Sequence, residues 1–202
     1  MSINQKVQSF FSKYPTRMYS RDDILVQPGV IPQAFYLVQG IVSQYDIAKN
    51  GQKLVVNTYK PGAFISLSCI LNNAPSSFFF EASGGQVVVN IAPAVDVYDF
   101  LKDNPDVTLD ALSRLSRGGD GMMQRLARAM EGDAEARILQ ELLIIRDRFP
   151  ESSKETSITD VELAARTGLA RETVNRTLKR LVIKGNIKSS RGKITLNSLS
   201  HI

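Results

Sequence analysis

The sequence predicts an α+β chain: an antiparallel β-sandwich or barrel in front, a long helix behind it, and a helix-turn-helix with a β-hairpin wing at the rear. Three observations carry that reading. Between about residues 24 and 98, short β-rich runs alternate with Pro-Gly, Asn-Gly, Asn-Asn and Gly-Gly turn signals. After Pro93 the apolar spacing becomes helical. From Thr159 a capping box, a glycine and a second amphipathic run follow at helix-turn-helix spacing.

Composition sets the frame for these elements. The 202 residues are 43% hydrophobic and 22% charged, a balance that excludes a disordered tail, a collagen-like fibre and a disulfide scaffold. One cysteine, Cys69, and one histidine, His201, leave no Cys-based zinc site and no chemistry that needs two imidazoles. We therefore expect no metal, no cofactor and no catalytic residues. No apolar run approaches the roughly 18 residues that span a bilayer. The opening segment MSINQKVQSFFSKYP lacks the charged-then-apolar layout of a secretory signal. A soluble, cytoplasmic protein is expected.

In the front half, the runs ILV, AFYLVQGIV, KLVVNTY, GAFISLSCIL, SFFFEA and QVVVNIA read as strands with no helix between them. Asn50-Gly51 tolerates the positive φ angles of a type I′ turn and makes QYDIAKNGQKLVVNTY the clearest hairpin. DVYDFLKDNP reads as a short helix or two. From Val107 to Glu131, Leu112, Leu115, Gly119, Met122, Leu126 and Ala129 follow a 3-4-3-4-3 spacing, as the seam of a helix dimer would. A single-chain helix packed on its own sheet would also need an apolar stripe. Within this segment, Arg117-Gly118-Gly119-Asp120-Gly121 holds three glycines, each costing about 1 kcal/mol relative to Ala in a helix interior. They predict either a break or a close approach of two backbones. Asp133 to Arg148 is a further amphipathic helix, with Gly132-Asp133 as its hinge and cap. The expected segments are thus 1–106, 107–132 and 133–202.

The rear carries the most specific pattern. Thr159-Asp160-Val161-Glu162 opens a helix that Gly168 ends, and RETVNRTLKRL follows after a three-residue turn. Ala164 lets the two helices cross closely, Gly168 takes the turn, and Val174, Leu178 and Leu181 anchor the second helix. Its opposite face presents Arg171, Glu172, Asn175 and Arg176, whose forks, acceptor and amide match base edges in a major groove. Thr173, Lys179 and Arg180 are placed for phosphates, with Lys188, Arg191 and Lys193 on the wing GNIKSSRGKITL. A salt-bridged surface helix is the plainer alternative, since Glu172 and Arg176 stand at i, i+4. Charge argues for nucleic acid. The formal total is +5, yet from Lys154 to the end ten basic residues face four acidic ones, a surplus of six that leaves the rest at −1.

ITDVELAARTGLARETVNRTLKRLVIKGNIKSSRGKI, with its Arg171, Glu172, Thr173 and Arg176 core, resembles the rear domain of the cyclic AMP receptor / fumarate-nitrate regulator (CRP/FNR) family of bacterial transcription factors. PGVIPQAFYLVQGIVSQYDIAKNGQKLVVNTYKPGAFIS resembles that family's sensory domain, with Gly40 and Gly62 at turn positions. The resemblance implies an α+β fold with an N-terminal antiparallel β-roll (a cupin-like jelly roll), a long dimerisation helix and a C-terminal winged helix-turn-helix. It also implies a homodimer on a pseudo-palindromic TGTGA- or TTGA-like site in double-stranded DNA, read by Arg171, Glu172 and Arg176, with RNA polymerase as a further partner. Ala170 stands where the family often has a capping Ser.

Departures from the family pattern bear on regulation. Cyclic-nucleotide sensors of the family carry a Gly-Glu pair and then an Arg-Ser pair; here Ser66-Leu67 and Ser76-Ser77 replace them. No arginine is left for a cyclic phosphate, so control by cyclic AMP is not expected. The first expectation is a regulator with no ligand at all; the alternative is one that answers to a cyclic nucleotide or another small molecule through an atypical pocket walled by Leu67, Phe78, Phe80, Met122 and Met123. The iron–sulfur cysteine cluster is missing, and a cupin-type enzyme would need histidines that the barrel lacks. Cys69 reads as a small buried hydrophobe.

Overall fold

The computed structural model describes residues 2–131, 133–148, 156–190 and 193–196. Two compact units divide the chain, Met1–Gly118 and Gly119–Ile202.

The first unit opens with α1 (Ile3–Phe11), where Ser2 and Gln5 cap each other reciprocally and Val7 and Phe11 are buried. The strands are β1 (Thr16–Tyr19), β2 (Ile24–Val26), β3 (Ala34–Ile47), β4 (Lys53–Tyr59), β5 (Phe64–Ile65) and β6 (Phe79–Ala92), all paired antiparallel. Their order is β1-β6-β3-β4, with β2 also on β6 and β5 also on β3. This is the expected antiparallel roll.

Two strands of 14 residues each form its spine, and each changes phase once. On β3, Phe35 and Leu37 face the core, and so does Val42; on β6, Phe80 and Ala82 do, and so do Val87 and Val89. Strand side chains alternate, so an odd step between inward residues requires a bulge. Gly40 supplies it on β3 at φ +90°, and Gly84-Gly85 supply it on β6 at +85° and +126°. A Cβ at Gly40 would run into the Gln86 carbonyl and Val87. Gly40 and Gly84-Gly85 are therefore bends inside long strands, where the family resemblance put Gly40 at a turn position and the Gly-Gly pair read as a turn between two strands. Gly62, at φ +90°, does sit in a turn, which Ala63 N–H closes by donating to Lys60 O at 3.1 Å.

Two further expectations are corrected. The β3–β4 hairpin has positive φ only at Gly51, so it is not type I′. Gly51 N–H donates back to Ala48 O at 2.8 Å and the Asn50 side chain accepts from Gln52 N–H at 3.0 Å, which puts the turn over four residues. GAFISLSCIL is not one strand: after β5, Leu67–Asn72 form a helix, α2, bounded by left-handed Ser66 and Asn73. The alternating template cannot tell a short apolar helix from a buried strand.

Next come α3 (Ala94–Asp103) and the long α4 (Pro105–Glu131), whose front half belongs to this unit. A cluster of Val7, Phe11, Tyr36, Leu67, Ile70, Val97, Leu101 and Val107 joins α1, α2, α3 and the start of α4 to the outer side of the sheet. α4 is continuous, so the glycines do not break it. The helical backbone is open to glycine at a cost in propensity only, and among the described residues nothing beyond the helix's own backbone lies within 4 Å of where a Cβ on Gly118, Gly119 or Gly121 would sit.

On the roll's surface, Lys53 pairs with Glu81 and lies 4.0 Å from the Tyr45 ring centre. Burial, and then the hydrogen bond to Glu81, push the Tyr45 phenol up to about 12.

The second unit holds α5 (Ala134–Arg148), β7 (Thr156–Ser157), α6 (Asp160–Thr167), α7 (Arg171–Ile183), β8 (Ile187–Ser190) and β9 (Lys193–Leu196). Asp133 caps α5 by accepting from Glu135 N–H at 2.9 Å. The three strands pair antiparallel in the order β7-β9-β8. Ile138, Leu142, Leu163, Val174, Leu181, Ile187 and Ile194 form the core between helices and sheet. This is the expected winged helix-turn-helix.

Candidate nucleic-acid interface

The turn between α6 and α7 is built as its residues dictate. Thr159 Oγ1 accepts from Glu162 N–H at 3.2 Å, while the Glu162 carboxylate accepts from Thr159 N–H at 2.9 Å. At the other end Gly168 sits at φ +67° and donates to Ala164 O at 2.9 Å. Only glycine takes that left-handed position without a steric cost. Ala170 then starts α7 with no side-chain cap, as its missing hydroxyl implied.

Burial orients α7. Val174 and Leu181 are fully buried and Leu178 nearly so, which fixes the face that packs. The opposite face is left to solvent: Arg171, Glu172 and Arg176 are exposed, and Asn175 and Thr173 half-buried. Among the described residues Glu172 and Arg176 do not close into an ion pair. Two guanidinium forks, a carboxylate and an amide therefore stand free on one helix, the donor and acceptor set that base edges require. Lys179 and Lys188 are exposed beside them. Ser190↔Lys193 pairing joins β8 and β9 as the expected hairpin. Arg191 lies outside the described residues, as does the side chain of Lys193.

Arg180 differs from its neighbours. Its Nε lies 3.4 Å from Glu135 Oε1, and Lys184 Nζ lies 2.7 Å from Oε2 of the same carboxylate. Glu135 thus ties α5 to the rear of α7. Six residues further along α5, Glu141 is buried with its carboxylate between Arg125 of α4 and Arg166 of α6. Arg137 donates to Thr167 O at the end of α6. None of these α5 partners was legible in the sequence, because partners 16 to 49 residues apart leave no local spacing to read. Inside the helix, Thr177 is fully buried and its hydroxyl has no hydrogen-bond partner among the described residues.

The expected pocket walls Leu67, Phe78 and Phe80 do not share one cluster. Leu67 belongs to α2 and packs with α1, α3 and α4, whereas Phe78 and Phe80 pack inside the roll. Met122 and Met123 are exposed on α4. The misplacement follows from reading Leu67 as a strand residue. Ser66 and Ser76, at the positions of the sensor motif, spend their hydroxyls on backbone: Ser66 Oγ donates to Gln33 O at 3.0 Å and Ser76 Oγ to Phe78 O at 2.7 Å. A hollow of about 430 Å³ lies instead between α2, α3 and α4, walled by Leu67, Leu71, Leu101, Leu112 and Leu115 with Lys102 at its rim. The expected seam residues Leu112, Leu115, Met122 and Leu126 are all exposed, with Gly119 and Ala129 between them on the same helix.

Among the described residues no group of His, Cys, Asp or Glu could hold a metal ion, and no helix is long and apolar enough to cross a membrane.

The Crp-like helix-turn-helix domain matches residues 136–201, and the cyclic nucleotide-binding domain matches residues 16–104. The transcriptional regulator SdrP of Thermus thermophilus is 27% identical over 91% of this chain and 90% of its own. A crystal structure of a CRP/FNR-family transcriptional regulator from the same species aligns at a TM-score of 0.71 and 26% identity, covering 92% of this chain and 94% of the other. The c-di-GMP-responsive regulator CLP of Xanthomonas campestris shares the fold at a TM-score of 0.79 and 17% identity, over 96% and 99% of the two chains.

Proposed function

Because the chain belongs to the CRP/FNR family of transcriptional regulators, a non-enzymatic class, we propose that it works as a cytoplasmic homodimer on a pseudo-palindromic, TGTGA- or TTGA-like DNA site without control by cyclic AMP. The observation that carries the reading is the free face of α7: Arg171, Glu172, Asn175 and Arg176 stand opposite buried Val174 and Leu181. Base-reading needs such unpaired groups on a rigid helix. Thr173, Lys179 and Lys188 contribute phosphate contacts, and so do Arg191 and Lys193 of the wing.

The exposed face of α4 supports dimerisation. Its leucines and methionines are exposed, and its glycines have open space where a second backbone could approach. Two such modules then meet successive major grooves about 34 Å apart. Such a dimer on promoter DNA would meet RNA polymerase as its next partner.

Independence from cyclic AMP rests on Ser66 and Ser76. Both hydroxyls are engaged with backbone, and neither can supply the positive charge a cyclic phosphate needs. The hollow beneath Leu67 favours a second reading, a regulator answering to an apolar effector with a negative end, because leucines wall it and Lys102 stands at its rim.

Enrichment of bound duplexes from random DNA tests the whole reading. An inverted repeat with TGTGA- or TTGA-like arms is expected; a single unrepeated motif overturns the dimer, and no enrichment overturns the DNA assignment. A thermal shift tests regulation: cyclic AMP at 100 times its dissociation constant would stabilise the fold by about 2.7 kcal/mol, and no shift is expected.

A further inference from the structure

Glu141 lies at the centre of the second unit, and the free face of α7 does not use it. Its side chain is 3% exposed, in contact with two guanidinium groups that are themselves 17% and 16% exposed. Arg125 grips it with both arms of the fork, Nε to Oε2 at 2.7 Å and Nη2 to Oε1 at 2.9 Å. Arg166 Nη1 reaches Oε1 at 3.4 Å from the last turn of α6. One residue before each partner, Gln140 Nε2 donates to Gln124 Oε1 at 2.9 Å. Three helices therefore meet on one carboxylate.

A buried ion cluster of this kind contributes little net stability, because desolvation of the charges offsets their attraction. What it does supply is geometry. A two-bonded fork holds its carboxylate in one plane, and sliding one helix by a single residue moves it about 1.5 Å and turns it about 100°. Either motion breaks both bonds and leaves a charge buried and unpaired. The segment of α4 so held also carries Met122, Leu126 and Ala129 of the proposed dimer seam. α6, held from the other side, packs on α7 through Leu163 and Val174.

We propose that Glu141 is a positioning residue for DNA recognition: it locks the rear half of α4 to the helix-turn-helix, so that the dimer accepts only one spacing between half-sites. The inference rests on the dimeric, DNA-binding reading above. It assigns Arg125 and Arg166 to the same lock and gives none of the three a contact with DNA.

The test uses the inverted repeat recovered from random duplexes, a series of it with one or two base pairs inserted or deleted at the centre, and a duplex with one half-site. Affinities are measured by fluorescence anisotropy for wild type, Glu141→Gln and Arg125→Lys. The second variant keeps the charge and loses the fork, and stands in if the first does not fold. Wild type should lose about tenfold or more on a two-base-pair insertion, as simultaneous engagement of both half-sites fails. The variants should lose less than about threefold on the same insertion while binding the single half-site as wild type does. Variants that keep the wild-type spacing profile overturn the lock and leave the DNA-binding reading standing. A flat wild-type profile overturns the dimer reading, and the lock with it. A loss of single-half-site binding in both variants overturns the lock in favour of a purely structural role for Glu141.

Discussion

Lys184, just past the end of α7, lies 2.7 Å from the Glu135 carboxylate, 49 residues back on α5. Arg180 shares that carboxylate from one turn earlier. Both cations are therefore half-committed inside the unit, whereas Lys179 stands exposed beside them. Each phosphate contact releases counterions and steepens the salt dependence of binding. Lys179→Ala should reduce the slope of log affinity against log salt by about 1. Arg180→Ala should reduce it by clearly less, measured by titration across salt concentrations. Equal reductions would show that Glu135 does not hold Arg180 away from DNA.

Arg176 tests base reading. Arg176→Ala should weaken binding to the enriched operator by roughly 1–3 kcal/mol and leave a scrambled duplex nearly unaffected. Equal losses on both duplexes would make Arg176 a phosphate contact instead.

Leu126 tests the seam. It is 62% exposed on α4. Leu126→Glu would bury a charge at a dimer interface, so sedimentation should show a shift from dimer to monomer. An unchanged wild-type dimer would move the interface elsewhere.

Thr177 sits fully buried on α7 with no hydrogen-bond partner for its hydroxyl among the described residues. A buried donor without a partner carries its full desolvation cost, about 1–3 kcal/mol. Thr177→Val keeps the shape and removes that donor, so urea unfolding should show a gain of about 1 kcal/mol. A loss would mean that the hydroxyl has a partner in solution.

Tyr45 gives the roll a signature at alkaline pH. Its folded-state pKa is about 12, against 10.0 for a free phenol. The folded state thus holds the proton more tightly than the unfolded chain. The stabilising contribution is complete below pH 10 and lost as pH rises toward 12. Of the six tyrosines, Tyr45 should be the last to ionise in an ultraviolet titration, and Tyr45→Phe should remove that step. A last step unchanged in the variant would assign it to another phenol.

Local chemistry by itself determined a large share of this protein. The Thr159–Glu162 box, Gly168 and the Val174, Leu178, Leu181 stripe are interactions within one or two helical turns, so spacing alone locates the helix-turn-helix and its outward face. The surplus of positive charge at the rear is likewise a property of composition. Tertiary structure decided the rest, wherever partners are distant in sequence or one residue changes a strand's phase. The bulge at Gly40 exists because one backbone passes close to another, and the one at Gly84-Gly85 makes a single long strand from what reads as two, SFFFEA and QVVVNIA. Leu67 became a helical residue because left-handed Ser66 starts a turn that no alternation pattern announces. The Glu141 cluster joins three helices through charges whose pairing depends on packing: no spacing rule links Arg125, Glu141 and Arg166 until the fold has brought them to one carboxylate.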